Sequence, residues 1–186
     1  MVRARRERRV KIESVGDQVI TQPESNAANT SAHTSDAIWT IGHSTRSAEE
    51  FNQLLITHAI EALVDVRSFP GSRRYPQFNK SELSRALESD GILYSHNPKL
   101  GGRRRPSAHS KNTAWKNASF RAYADHIETE EFAQGIQELL EIAKSKRTAV
   151  MCAEALWWRC HRSLIADFLK AKGLTVIHIL DSKKTE

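Results

Sequence analysis

The chain has 186 residues, of which 28 are Lys or Arg, 22 are Asp or Glu and only 2 are Cys. This length predicts one domain with a self-sufficient core, and the average content of hydrophobic (39%) and charged (27%) residues excludes disordered, collagen-like and disulfide-rich classes. No apolar stretch approaches the ~20 residues that cross a bilayer, and no secretory leader is recognisable, so we predict a cytoplasmic protein without membrane contact, whose cysteines form no disulfide.

The beginning of the chain differs in composition from the rest. Residues 1–11 hold five Arg and one Lys against one Glu, and residues 21–35 are rich in Ser, Thr, Asn and Ala. Such a segment buries too little apolar surface to offset its ordering entropy. We therefore predict a disordered basic arm over residues 1–36, which is either a solvated tail or a contact to nucleic acid or an acidic partner, and a single domain over residues 37–186.

From residue 38 onward, short apolar strands alternate with amphipathic helices. In chain order, the predicted elements are a strand at 38–41, a helix opened by the Ser47–Glu50 capping box, a strand at 62–66, a helix from Asn79 to Gly91, a strand at 92–94, helices around 120–126 and 132–143, a strand at 148–152, a helix at 163–172 and a strand at 174–179. The alternation predicts an α/β domain with a mostly parallel, Rossmann-like sheet flanked by helices.

Polar clusters follow three of the predicted strands. In α/β folds, ligands bind outside the carboxyl ends of the strands, so we expect these clusters to meet at one site. The clusters are Gly42-His43-Ser44, Asp65-Val66-Arg67-Ser68, and Cys152-Ala153-Glu154 with Cys160-His161-Arg162.

The two cysteines are candidate nucleophiles. Cys152 ends a strand and Cys160 precedes a helix, where the helix dipole and Arg162 lower the pKa of a thiol. The alternative is that Cys152 is a buried small hydrophobe and Cys160 an ordinary residue at a helix start. The predicted catalytic residues are Cys152 and Cys160, with acid, base or electrostatic roles for Asp65, Glu154 and His161.

Two other chemistries use the same residues. Cys152, Cys160 and His161, with His43 as a fourth ligand, would suit zinc, but the spacing lacks the short Cys-x-x-Cys of structural zinc sites. We therefore predict no cofactor and keep zinc as the alternative. The strand–Cys–loop–Arg–helix order is also typical of phosphatases and sulfurtransferases, and the end of the second strand is similar to rhodanese domains. However, six residues separate Cys152 from Arg159, whereas the phosphatase loop holds five.

The stretch between Gly91 and Ala124 contains a long loop, from Ser95 to about Asn117, and holds seven basic residues and no acidic one. Together with aromatic residues nearby, this charge predicts contact with a polyanion whose bases stack on rings. The alternative is a solvated loop whose aromatic residues return to the core. The predicted ligand-binding residues are His43, Ser44, Arg67, Ser68, Tyr75, Arg103, Trp157, Trp158 and Arg162.

Six motifs, taken in order, resemble the domain-of-unknown-function 488 family over residues 38–179. They are Ile38 to Ser44, Leu63 to Ser68, Pro76 to Asn79, Leu100-Gly101-Gly102, Met151 to Glu154, and Cys160-His161-Arg162. The resemblance implies an α/β domain and a polar site made from His43, Asp65, Arg67, Cys152, Glu154, Cys160, His161 and Arg162. It implies no reaction.

From these observations we predict an enzyme that acts on a nucleic acid or nucleotide-like phosphate ligand. Base excision or modification is the expected reaction, as in a DNA-repair hydrolase such as a glycosylase. The alternatives are a non-catalytic nucleic-acid-binding module and a thiol-redox or metal-binding protein.

Overall fold

The computed structural model describes residues 37–186, and the predicted arm at residues 1–36 lies outside the described residues. Residues 37–186 form five strands and five α-helices, with at least one helix between successive strands. The strands are β1 (Ala37–Gly42), β2 (Ala62–Asp65), β3 (Leu93–His96), β4 (Thr148–Cys152) and β5 (Thr175–His178). The helices are α1 (Ala48–Thr57), α2 (Lys80–Ser89), α3 (Ala118–Ile127), α4 (Glu130–Ala143) and α5 (Arg162–Ala171).

The five strands form one sheet in the order β3-β2-β4-β1-β5, and every neighbouring pair is parallel. The predicted α/β class and parallel sheet are therefore confirmed. Parallel strands need crossover connections, and the helices supply them. The register pairs Gly42 at the end of β1 with Cys152 at the end of β4, and Asp65 at the end of β2 with Met151.

The strands sort their side chains to two hydrophobic faces, because successive residues of a strand point to opposite sides. Along β4, Ala149 and Met151 lie in one core, whereas Val150 and Cys152 lie in the other. Helices α1 and α2 cover the Met151 side, and α3, α4 and α5 cover the Cys152 side. The alternation therefore directs the Cys152 thiol toward α5.

The capping signals locate the helices as the sequence predicts. Ser47 and Glu50 make both hydrogen bonds of the capping box at the start of α1. Asn79 precedes α2, but its side chain accepts from the Ser72 backbone N–H instead of capping the helix. Within residues 37–186, no helix is long and apolar enough to cross a membrane.

The connections leave β1 and β4 in opposite directions. The chain after β1 passes through α1 on one face to β2, whereas the chain after β4 passes through α5 on the other face to β5. Neighbouring parallel strands whose connections diverge in this way open a crevice at their carboxyl ends, which is where ligands bind in open α/β sheets. The residues that follow Gly42 and Cys152 therefore lie where this fold offers a ligand site.

Candidate functional site

A cavity of about 590 Å³ lies at the carboxyl ends of the strands. Residues that follow β1, β2 and β4 line it together with the start of the long loop and the approach to α5. Of the residues predicted from the sequence, it is lined by His43, Ser44, Arg67, Ser68, Tyr75, Arg103, Cys152, Glu154, Cys160 and His161.

The two cysteines form a close pair at this cavity. Both are free thiols, 3% and 4% exposed, and their Sγ atoms lie 2.7 Å apart. A hydrogen bond from Cys152, followed by contacts with His161 and Arg162, lowers the pKa of Cys160 to about 3. The same hydrogen bond, together with burial, raises the pKa of Cys152. The directions of both shifts favour Cys160 as the thiolate and Cys152 as the thiol that donates to it.

The His161 imidazole lies against Cys160. Its Nδ1 is 3.4 Å from the Cys160 Sγ, and its ring packs at 5.1 Å from the Tyr123 ring. Gly102 passes so close to this ring that a Cβ at position 102 would overlap His161 Nδ1. The start of the long loop and Tyr123 of α3 thus hold the imidazole beside the thiolate.

Arg67 is held in place by buried partners. Its Nε and Nη2 donate to the two Asp65 carboxylate oxygens at 2.9 and 2.6 Å, and Nη2 also donates to the Phe78 carbonyl. Tyr94 donates its hydroxyl to Asp65 Oδ2 at 2.7 Å. Because Asp65 is fully buried and does not line the cavity, its role is to orient the guanidinium.

His43 lies between Arg67 and the end of β1 as a neutral imidazole. Burial and the adjacent Arg67 lower the pKa of His43 to about 4. Its Nδ1 is 3.0 Å from the Ser44 carbonyl, and its Nε2 is 3.3 Å from Arg67 Nη1, so Nδ1 carries the proton and Nε2 accepts. The ring stacks on Phe78 at 4.2 Å.

The loop after β4 is fastened to β1. Gly42 allows this loop to pass closely, since a Cβ there would overlap the Glu154 carbonyl, and the Ser44 N–H donates to the Ala153 carbonyl at 2.8 Å. Ser44 has a φ of 53°, a left-handed conformation that costs on the order of 1 kcal/mol and is common at functional sites. Arg162 is fully buried and donates to the Glu154 and Ala155 carbonyls.

The zinc alternative fits the geometry poorly. Cys152, Cys160 and His161 bring three donor atoms within 4.8 Å of one another. Two thiolates on one tetrahedral zinc, with Zn–S bonds of about 2.3 Å, would lie roughly 3.8 Å apart, but the two Sγ atoms are at 2.7 Å. His43, the expected fourth ligand, uses both ring nitrogens in hydrogen bonds. As placed, these donor atoms lack the spacing of a tetrahedral zinc site.

A family model described as a domain of unknown function, DUF488, matches residues 47–169. The chain belongs to the DUF488 family. The sequence resemblance is therefore confirmed, although the match is narrower than the range of 38–179 over which the motifs were recognised. It includes both cysteines and ends before β5. No curated protein and no solved structure matches the chain.

In this DUF488 domain, four of the predicted site residues do not line the cavity. Asp65 and Arg162 lie behind it, where they orient Arg67 and the loop after β4. Trp157 stacks on His178 at 3.9 Å and donates Nε1 to Glu186. Trp158 is 47% exposed and meets the Trp157 ring edge-on. Neither indole lines the cavity.

The basic loop is less uniformly charged in the fold than in the sequence. Lys99 pairs with Glu138, and Arg104 pairs with Glu131, both glutamates belonging to α4. Arg121 donates to the carbonyls of Trp115 and Lys116. Arg103 differs, because its guanidinium lies 5.5 Å from the Phe69 ring at the cavity.

Several cavity residues were not among the sequence-based candidates. Arg159 lies one residue before Cys160, and the others lie in the loops after the strands and in α3. The Gly101-Gly102 pair and the Ser-rich turn at residues 68–72 are the signals that point to close approach of backbone at a site. The additional lining residues are Thr45, Phe69, Gly71, Ser72, Gly102, Ser119, Phe120, Tyr123, Ala153, Ala155 and Arg159.

Proposed function

We propose that this DUF488 protein is an enzyme that acts on a nucleic acid or nucleotide-like phosphate ligand, with the Cys160 thiolate as its nucleophile. The observation that carries the proposal is that Cys160 lines a cavity of about 590 Å³ whose charged walls are three arginines and a single carboxylate, Glu154. This volume lies within the range of ordinary small-ligand pockets. The charge balance favours an anion.

The arginines support recognition of phosphate. Arg103 and Arg159 have no ion-pair partner within residues 37–186. Arg67 is anchored by Asp65 through Nε and Nη2, so its Nη1 is the nitrogen left to meet a ligand beside His43. Guanidinium groups suit phosphate because they offer paired, planar donors of permanent charge.

The aromatic rings at the cavity support stacking of a base. Phe69 is 70% exposed at the cavity, and Phe120 lines it while stacking on Trp115 at 5.5 Å. Tyr75 also lines the cavity. Base stacking on such rings tolerates any base and contributes about 1–3 kcal/mol per base. These rings take the role that the sequence alone suggested for Trp157 and Trp158.

The reaction that we propose is base excision or modification by covalent catalysis. In excision, Cys160 Sγ bonds to the sugar carbon that carries the base, the carbon–nitrogen bond breaks, and the departing base takes a proton from His161 or Glu154. Water then attacks the same sugar carbon and gives a proton back to His161 or Glu154, and the carbon–sulfur bond breaks to return the thiolate. Asp65 and Arg162 position Arg67 and the cysteine loop without touching the ligand.

The test is to incubate the reduced protein with mononucleotides and with single-stranded and duplex oligonucleotides. Acid-quenched samples are examined by intact-mass spectrometry and for free base. We expect a covalent adduct on Cys160 that is absent from Cys160→Ser. Base release by Cys160→Ser at the rate of the unmodified protein would contradict the nucleophile.

A matched pair of variants tests the phosphate site. Arg103→Gln should weaken nucleotide protection of Cys160 against alkylation by about tenfold, the loss expected for one charge-assisted contact. Arg85→Gln removes the same charge from an exposed i,i+3 pair with Glu82 and should have no effect. Equal effects of the two substitutions would contradict a phosphate site at Arg103.

The non-catalytic alternative has one observation in its favour. Arg105, Lys111 and Lys116 are exposed and have no ion-pair partner within the described residues. A binding module that uses these charges would lose affinity steeply with salt and would release no product from any nucleotide tested.

A further inference from the structure

The two cysteines are also placed for a reaction that needs no nucleotide. Their Sγ atoms are 2.7 Å apart, whereas a disulfide bond is about 2.05 Å long. Closing the bond therefore requires a relative movement of only about 0.7 Å. Residues 153–159, which connect the two cysteines, are partly or fully exposed. This connection can therefore adjust without displacing a strand or a long helix.

Access to the pair is restricted to small molecules. Both cysteines line the cavity, yet each is less than 5% exposed. Cys152 and Cys160 also belong to the hydrophobic core between the sheet and α5. A small neutral oxidant can reach such sulfur atoms through the cavity, whereas a cysteine of a second chain cannot approach them closely.

We propose that Cys152 and Cys160 form a hydroperoxide-reactive site, in which Cys160 is oxidised first and Cys152 then closes a disulfide with it. The proposal extends the proposed function, because the disulfide would mask the nucleophile, but it requires only the two thiols. Oxidation thus blocks the Cys160 nucleophile, and reduction restores it.

The two steps conserve atoms and electrons. In the first, the Cys160 thiolate attacks the terminal oxygen of the hydroperoxide, the oxygen–oxygen bond breaks, and the alcohol or water leaves with a proton from solvent, which gives a sulfenic acid. In the second, Cys152 Sγ attacks Cys160 Sγ, the sulfur–oxygen bond breaks, and water departs with the Cys152 proton. The thiols lose two electrons, the hydroperoxide gains them, and an external dithiol reverses the change.

The division of roles follows from the surroundings of each sulfur. Cys160 receives the Cys152 hydrogen bond and has His161 Nδ1 at 3.4 Å, so it carries the negative charge that attacks a peroxide. Pairing with Cys160 and burial raise the pKa of Cys152, and they outweigh the Glu154 backbone N–H that donates to its Sγ at 3.5 Å, so Cys152 keeps its proton as a resolving thiol does. The nearest thiol to a sulfenic acid on Cys160 is therefore already in place.

The experiment treats the full-length, reduced, chelator-treated protein with one equivalent of hydrogen peroxide and maps its tryptic peptides without reduction. Cleavage after Arg147, Arg159 and Arg162 separates the cysteines into peptides 148–159 and 160–162. We expect these two peptides to be joined, with both thiols lost and no covalent dimer. Treatment with dithiothreitol should restore both thiols.

Two matched variants assign the order of oxidation. Cys152→Ser should stop at a sulfenic acid on residue 160 that a 1,3-dione reagent traps. Cys160→Ser should lose its remaining thiol at least about tenfold more slowly than the unmodified protein. Equal rates would overturn the proposal. A disulfide-linked dimer would also overturn it, as would a sulfinic acid on Cys160 of the unmodified protein with the Cys152 thiol intact. These last two outcomes are read from peptides of the unmodified protein, so they do not depend on how the variants fold.

The same reduced samples separate this proposal from the proposed function. Nucleotide protection of Cys160 against alkylation is measured before peroxide is added. A disulfide that forms in a protein showing no nucleotide protection supports the redox site and overturns the phosphate ligand. Protection without any disulfide supports the phosphate ligand and overturns the redox site.

Discussion

Cys160 depends on its neighbour for its charge. The largest influence that lowers the pKa of the Cys160 thiol is the hydrogen bond from Cys152, whose Sγ is 2.7 Å away, and His161 adds a smaller contribution. Burial alone acts in the opposite direction, because it disfavours an ion. The charge on Cys160 is therefore a property of the pair.

The first prediction separates the effect of the hydrogen-bond donor at position 152 from the effect of the side-chain volume there. Cys152→Ala removes the donor and should raise the pKa of Cys160 by about one pH unit or more, whereas Cys152→Ser keeps a donor and should raise it less. The measurement is the pH dependence of iodoacetamide alkylation, which in both variants reports Cys160 alone. Identical profiles for Ala and Ser would show that the hydrogen bond does not stabilise the thiolate.

The second prediction concerns His43 and acid stability. The pKa of folded His43 is lowered to about 4, whereas an unfolded histidine titrates near 6.5. Between these values the unfolded chain binds the proton and the folded chain does not, so the free energy of unfolding falls as pH drops from about 6.5 to 4. The stability is fully present above this window.

Urea unfolding at pH 7 and at pH 4.5 checks this linkage. In His43→Gln, the free energy of unfolding should change less between these pH values, because about one proton fewer is bound on unfolding. The other titrating groups are common to both proteins. His178, whose pKa burial also lowers to about 4, remains in the variant and preserves part of the slope. Parallel stability curves for the two proteins would contradict the assignment of a neutral His43.

At the scale of the elements, the start of the long loop controls the approach to α5. Gly102 contacts the His161 ring so closely that no side chain fits, and Arg103 follows with its N–H donating to Ser68 Oγ at 3.2 Å. The loop thereby connects the end of β2 to the residue before α5. Its position determines where His161 and Arg103 lie.

The third prediction tests this contact with a matched pair of glycines. Gly102→Ala must displace the His161 ring, so the midpoint of the pH profile for alkylation of Cys160 should move upward as its pKa rises. Gly71→Ala is the control, because Gly71 also lines the cavity but a Cβ there has nothing within 4 Å. Equal midpoints in the two variants would mean that Gly102 does not hold the imidazole.

Elements were predictable where the signal is local. Ser47 and Glu50 located the start of α1, and short apolar runs between the helices located all five strands. Both signals depend only on neighbours in the sequence. The meeting of His43, Arg67 and Cys160 followed from the rule for carboxyl ends of parallel strands. Nothing local indicated that Tyr94 of β3 would bind Asp65, or that Trp157 would stack on His178 of β5, since those partners lie far along the chain.

Across the whole molecule, the cavity and the net charge are separate properties. The net charge of the chain is +6, and the segment before residue 12 holds five of its arginines. In the described part, Lys99 and Arg104 are paired with acids of α4, whereas Arg103 and Arg105 have no ion-pair partner. Long polyanions respond to all exposed cations, but a single nucleotide responds only to those at the cavity.

The last prediction uses ligand length to separate the two sources of charge. Replacing the five arginines of residues 3–9 by Gln should flatten the salt dependence of affinity for a long oligonucleotide, because fewer counterions are released, and should leave mononucleotide protection of Cys160 unchanged. Arg103→Gln with Arg105→Gln should weaken mononucleotide protection by about tenfold. Arg85→Gln with Lys144→Gln removes two equal charges from exposed pairs on α2 and beyond α4, and serves as the control. If the arm variant weakens mononucleotide protection as much as the loop variant does, phosphate recognition does not belong to the cavity alone.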